Sequence, residues 1–166
     1  IEGLTETLGK NGVTSNYRFD LASYTWELVE KFKHGKAVFT QPPMPIKCAG
    51  APQKAMYLSC DHWLKTGVLN NIEVDFYNTG AVLFGVKEYV PTLKKYVEKY
   101  NANLHFTHTL VKVDGNNKKA YFKQAQASDN GDVSELLEVD FDILHVVPPQ
   151  SPPNFIQASP LVDDNG

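Results

Sequence analysis

The sequence predicts an α/β fold: a central parallel sheet covered by helices, with a small antiparallel β-meander. Three observations predict it. Over residues 36–107, short apolar segments alternate with longer segments of helical periodicity, the order that builds parallel sheets. Residues 142–147, Asp-Ile-Leu-His-Val-Val, are almost continuously apolar, as a strand covered on both faces is. Between them, residues 109–124 run as two short segments around Gly115-Asn116-Asn117, which reads as an antiparallel hairpin.

Taken in order, residues 1–19 carry Gly3, Gly9, Asn11, Gly12 and Asn16 and read as loop, a connector into the domain. Asp20 is placed to cap a helix whose apolar stripe is Leu21, Tyr24, Leu28 and Phe32, and Gly35 is placed to end it. Residues 36–40 form the first core strand. Three prolines in 41–45 then enforce an extended loop, because each fixes φ and removes a donor. Pro52 suits the first turn of a helix that runs to about residue 66, with Gly67 closing it. Ile72, Val74 and Phe76 alternate in a second strand, and Asn78-Thr79-Gly80 turns the chain. Residues 85–101 carry a helical stripe of Val86, Tyr89, Val90, Leu93, Val97 and Tyr100, opposite a lysine face that reads as solvated surface. Residues 104–107 form the third strand. The hairpin follows, then a turn at 128–132, a strand at 136–141 and the apolar strand at 142–147. Residues 148–153, Pro-Pro-Gln-Ser-Pro-Pro, stop that strand as a stiff loop. The whole reads as a Rossmann-like three-layer domain with a central parallel sheet plus a small antiparallel β-meander.

Composition excludes several classes of function. The 166 residues suit one domain, 42% hydrophobic content supports a core, and the net charge of −3 with dispersed basic residues offers no nucleic-acid stripe. No apolar run is long enough to span a bilayer, and no signal-peptide pattern opens the chain. The opening Ile1-Glu2-Gly3 and the closing Asp163-Asp164-Asn165-Gly166 lead us to expect a piece of a longer protein. Two cysteines make no disulfide framework, and the five histidines have no zinc-finger spacing. His105 and His108 form an HxxH pair, but strand periodicity would turn them to opposite faces, so no metal site is expected.

One cysteine stands out. Ile46-Lys47-Cys48-Ala49-Gly50-Ala51-Pro52-Gln53-Lys54 places Cys48 after a core strand and just ahead of a helix that opens on proline. Attack requires a thiolate. Lys47 adds positive charge, the helix N-terminus presents partial positive charge, and Ala49, Gly50 and Ala51 leave room for a small substrate. The competing reading is a buried, inert thiol, the usual fate of a free cysteine. Cys60 fits that description, in helical register with Met56 and Trp63. It lies about 13 Å along the helix axis from Ala51, whereas a disulfide needs Cα atoms within about 7 Å, so any redox partner of Cys48 is expected outside this chain. A dinucleotide fold would carry G-x-G-x-x-G after its first strand. Here that place holds residues 43–51, and Tyr77-Asn78 replaces an acid at the tip of the second strand. The fold suggests a nucleotide while the residues argue against one.

The residues Ala37-Val38-Phe39-Thr40, Pro45 to Lys54, Met56-Tyr57-Leu58-Ser59, Phe84-Gly85-Val86-Lys87 and Leu144 to Pro153 resemble, in family order over about residues 16–166, mitochondrial-type sulfide:quinone oxidoreductases. The resemblance covers the middle of such a protein. These belong to the FAD-dependent pyridine nucleotide-disulfide oxidoreductase superfamily, with two Rossmann-type domains. The resemblance implies that residues 20–153 are the second, NAD-domain-like unit. Residues 1–19 would then be a connector, and 154–166 the start of the connection back to the FAD domain. It implies sulfide oxidation at a cysteine pair, electrons passing through FAD to quinone, and Cys48 as the first cysteine, carrying persulfide sulfur.

The second cysteine, the FAD fingerprint, the late flavin-contacting segment and the membrane-binding region would lie elsewhere in the parent, so the chain alone is expected to be inactive. The parent would sit on an energy-transducing membrane, bacterial or mitochondrial inner, and use a small sulfur acceptor. The loops at 42–45 and 148–153 are expected to face the flavin, with Pro148 and Pro149 as cofactor contacts; the plainer reading makes them rigid loop stops. Two alternatives stand beside this one: a NAD(P)H-binding domain of a related enzyme, and a non-catalytic thiol-bearing interaction module.

Overall fold

One parallel sheet with two apolar faces organises the computed structural model, which describes residues 1–124 and 136–161. In chain order the elements are α1 (Leu4–Thr7), β1 (Val13–Thr14), α2 (Ala22–Lys31), β2 (Gly35–Gln41), α3 (Ala51–Lys65), β3 (Ile72–Asn78), α4 (Val90–Lys99) and β4 (Asn103–Phe106). They continue as β5 (His108–Asp114), β6 (Lys119–Gln124), β7 (Leu136–Asp140), β8 (Ile143–His145) and α5 (Asn154–Gln157). The large sheet has the order β1-β8-β2-β3-β4 with every pair parallel, and β5-β6-β7 form a separate antiparallel sheet. The fold class read from the sequence is borne out. The turn expected at 128–132 lies outside the described residues.

Strand periodicity divides the core. Ala37 and Phe39 on β2, Val74 and Phe76 on β3 and Ile143 on β8 face the helices, packing on Val29, Met56, Cys60, Trp63 and Val97. Val38, Tyr77, Leu144 and Val146 face the other way, onto Leu110, Val113, Phe122 and Val139 of the antiparallel sheet. The meander is therefore the third layer of the domain. Trp63 ties the helix layer together, fully buried and donating its indole N–H to the Val29 carbonyl at 2.9 Å.

The meander-facing side of the parallel sheet also buries a charge. Asp75 is 2% exposed. It takes Lys36 Nζ at 2.8 Å on one oxygen, and His105 Nε2 at 3.1 Å with Asn103 Nδ2 at 2.9 Å on the other. Burial drives its carboxyl upward, but the hydrogen bonds from His105, Lys36 and Asn103 outweigh it and hold the carboxyl down at about 2. Burial alone would lower Lys36, yet Asp75 and Glu73 hold it well above its usual range.

Five expectations are corrected. Residues 1–19 are not simply loop: β1 pairs in parallel with β8, α1 packs on the meander side, and Glu2 bridges to Lys112. A two-residue strand carries no readable periodicity, so its burial between partners is what defines it. The second helix ends at Lys31 and has no side-chain cap at its start, because Asp20 is occupied by Arg18. Gly35 opens β2 instead of ending that helix, at φ +115, where a Cβ would lie 2.2 Å from the Asp142 carboxylate. The helix expected over 85–101 is α-helical only from Val90 to Lys99, preceded by a 3₁₀ turn at Lys87–Tyr89. Pro91 has no N–H with which to close an earlier α-turn. Finally, His105 and His108 do not face apart. Thr107 between them has φ +61, β4 and β5 belong to different sheets, and both rings lie on Tyr77. Among the described residues no cluster of three metal-ligating side chains forms.

Two buried groups contribute to the response to acid. His145 is 1% exposed, and burial pushes its imidazole down to about 4, below the ordinary 6.5. The unfolded chain therefore takes up a proton first. Stability falls as pH drops from about 6.5 to about 4, by on the order of 3 kcal/mol. The Asp75 contribution persists above 3.8 and is lost as pH falls from there towards 2. Denaturant titrations between pH 4 and 7 check this: His145→Gln flattens the limb between 6.5 and 4. At neutral pH, Trp63→Ala costs about 3–5 kcal/mol, read as a lower denaturation midpoint.

Candidate functional site

Three loops leave the C-terminal ends of adjacent parallel strands: residues 15–19 after β1, 42–50 after β2 and 146–153 after β8. Beyond β2 the chain builds outward through β3 and β4 on one side, while β8 and β1 complete the other. The order reverses at β2, and α/β sheets bind ligands outside the strand ends at such a point. The loops enclose a cleft of about 640 Å³ lined by Tyr17, Phe19, Lys47, Cys48, Pro148 and Gln150, among others.

Cys48 is exposed in this cleft. Its φ is +62, left-handed for a residue with a Cβ. The Ala51 N–H donates to its carbonyl at 2.9 Å, and α3 starts at that alanine with Pro52 in its first turn. Thus the thiol sits immediately before a helix N-terminus, the position read from the sequence. Tyr17 crosses the cleft to the same loop: its hydroxyl lies 2.7 Å from the Lys47 carbonyl and 3.1 Å from that of Cys48. The Lys47 N–H donates to Gln150 Oε1 at 2.7 Å. Burial raises the Tyr17 hydroxyl above its usual value, and Cys48 beside it adds to the effect while Gln150 opposes it.

The strand ends beneath are locked. Thr40 Oγ1 donates to the His145 carbonyl at 3.2 Å and accepts from the Val147 N–H at 3.1 Å. His145 Nε2 accepts the Asn16 N–H at 3.0 Å, which fixes the ring proton on Nδ1, a buried donor with no partner.

Pro148 lines the cleft with Cys48. Pro149 instead borders a nearly filled gap with Thr40, Pro42, Pro43 and Val147. Cys60 is fully buried, and burial pushes its thiol up to about 12. Both cysteines are free. Sequence reasoning missed Asn16, Tyr17, Phe19 and Gln150. The available signal was two aromatics in a Gly- and Asn-rich stretch taken as connector, of which Phe19 is 98% exposed. No helix among the described residues is long and apolar enough to cross a membrane.

No family model matches the chain. It is 40% identical over 164 residues, 98% of its length, to the mitochondrial sulfide:quinone oxidoreductase of Dictyostelium discoideum. It is 34% identical over its whole length to that of Mus musculus. It spans about a third of the length of these relatives, 34% and 36%. The resemblance read from the cysteine loop is borne out. Among solved structures, a chain of the Tetrahymena thermophila mitochondrial ATP synthase matches all of this chain and 41% of its own, with TM-score 0.73 and 18% identity. The sulfide:quinone oxidoreductase of Aquifex aeolicus matches over 95% of this chain and 35% of its own, with TM-score 0.70 and 16% identity. Both share the fold.

The two thiols are expected to separate under alkylation. Iodoacetamide labels Cys48 in the native protein, while Cys60 reacts on the order of 100-fold more slowly and only through opening of the core. Mass spectrometry of timed digests, with and without denaturant, reads this.

Proposed function

We propose that the chain is part of an enzyme that oxidises sulfide and reduces quinone, with Cys48 as the sulfur-carrying thiol. End-to-end similarity to proteins named sulfide:quinone oxidoreductase carries the reading. The cleft geometry supports it, since the exposed thiol lies at the strand-end position where such folds meet their ligands. In overall balance, a thiol and hydrogen sulfide give a Cys48 persulfide, two protons and two electrons, and quinone takes up both to become quinol.

The cofactor we assign to the parent is FAD, which when bound supplies the two-electron acceptor. The residues present fit one edge of a flat aromatic group. The cleft is open, Pro148 forms a wall, Phe19 stands free in solvent, and the Gln150 Nε2 is buried with no partner. Pro148 would contact the group directly. Pro149 would act through Pro148, by stiffening the loop. Within the chain, Lys47 brings positive charge to the thiol's own loop, and the helix start at Ala51 orients peptide dipoles towards an anionic sulfur.

The second redox cysteine, the FAD domain and the membrane contact belong to the rest of the parent, which we place at the mitochondrial inner membrane, with a small sulfur acceptor completing turnover. We assign residues 20–153 to its second, NAD-domain-like unit, extended at the front by β1, and 154–166 to the return towards the FAD domain. The NAD(P)H-binding and interaction-module alternatives gain no supporting observation.

In the full-length protein, Cys48→Ala is expected to lower sulfide-dependent quinone reduction at least 100-fold, about 2.7 kcal/mol of transition-state stabilisation. Absorbance of a short-chain quinone reports it, with Cys60→Ala as the control, expected within twofold once corrected for folded protein. An unchanged Cys48→Ala rate would remove Cys48 from the chemistry.

A further inference from the structure

Cys48 adopts a conformation that its own chemistry disfavours. A left-handed backbone is disfavoured at a residue with a Cβ, and it persists only where the surroundings determine it. The φ of +62 is one of the two rotations, φ and ψ, that together set how the peptide groups flanking the Cys48 Cα face each other. The carbonyl of the first belongs to Lys47, and that of the second to Cys48. A single hydroxyl, Tyr17 Oη, meets both, at 2.7 and 3.1 Å. Holding both carbonyls against one point fixes the rotation between them.

We propose that Tyr17 is a positioning residue for Cys48. Its hydroxyl, shared between the two flanking carbonyls, holds the left-handed turn and so sets the direction in which the sulfur meets the cleft. The consequence for turnover rests on the sulfur-carrying role proposed above for Cys48; the geometry does not.

The rest of the loop agrees with this role. The Lys47 N–H is held by Gln150, and the Cys48 carbonyl is also held by the Ala51 N–H. The turn is thus gripped from the loop after β1, from the loop after β8 and from α3. Tyr17 itself is anchored on buried structure. The Asn16 N–H bonds His145 Nε2, the Tyr17 N–H bonds Ser15 Oγ at 3.2 Å, and Ser15 is 2% exposed. Residues 13–14 pair with β8. The clamp therefore transmits the position of a core strand to a surface loop. The raised hydroxyl of Tyr17 keeps its proton through the neutral range, as a donor to two carbonyls must.

Tyr17→Phe in the full-length protein keeps the ring and removes the donor. Iodoacetamide labelling of Cys48 is expected to change at least threefold, and kcat for sulfide-dependent quinone reduction to fall about tenfold with KM for quinone within twofold. Tyr24→Phe deletes a comparable hydroxyl contact, that of Tyr24 with the Gly12 N–H at 3.1 Å, outside the cleft; it should leave both readouts within twofold. If Tyr17→Phe does not fold, Tyr17→Leu stands in its place. Labelling of Cys48 within twofold of the parent overturns the proposal, whatever kcat does. Altered labelling with an unchanged kcat, alongside an active Cys48→Ala enzyme, upholds the positioning and overturns the sulfur-carrying role.

Discussion

The insertion of β8 between β1 and β2 is the constraint on which the rest of the structure depends. Its register, Ala37↔Ile143, Val38↔Leu144 and Phe39↔His145, brings residues more than a hundred apart in sequence to one sheet edge. The paired part of the strand is short, so side chains extend the junction at both ends. At one end Asp142 accepts the Lys36 N–H at 2.8 Å, in space that only a glycine at 35 leaves open. At the other, the Thr40 hydroxyl bridges the His145 carbonyl and the Val147 N–H. Without that junction the loops after β1, β2 and β8 share no common origin, and the cleft around Cys48 has no floor.

The same sheet carries a buried ionic network one strand over. Taking Asp75 and part of Lys36 out of water is costly, and a buried pair offsets the cost only when remaining lone pairs are satisfied. Here both Asp75 oxygens are engaged. The aromatic stack beside it continues the same face: Tyr77 lies between His105 at 4.2 Å and Phe122 at 4.1 Å, both nearly parallel. Phe122 belongs to the meander, so the stack joins the two sheets at the position where β4 gives way to β5. The left-handed Thr107 is what lets the chain leave one sheet and enter the other while both histidines stay on Tyr77.

The sequence made legible what repeats or contrasts strongly. Alternation in β2 and β3, the helical stripe of α3 and the turn of the hairpin are patterns that neighbouring residues reinforce. Cys48 was legible because a loop motif, a proline and a helix start coincide within a few residues. What stayed hidden depends on long-range pairing. Val13 and Thr14 form a strand only because β8 lies beside them, and no local pattern announces two residues. Tyr17 and Gln150 meet the Cys48 loop from sequence distances of about thirty and a hundred residues. His105 and His108 meet on Tyr77 for a related reason: periodicity holds within one strand, and Thr107 ends it.

The scaffold and the chemistry are separable in this molecule. A layered α/β arrangement by itself selects no reaction. The exposed thiol of this chain lies among loops at one sheet edge. The strain there has a specific location, a left-handed cysteine gripped through both flanking peptides. Removing the grip would leave the fold's two apolar faces untouched, because Tyr17 and Gln150 belong to neither core cluster. The position of the sulfur can therefore vary without disturbing the packing that supports it.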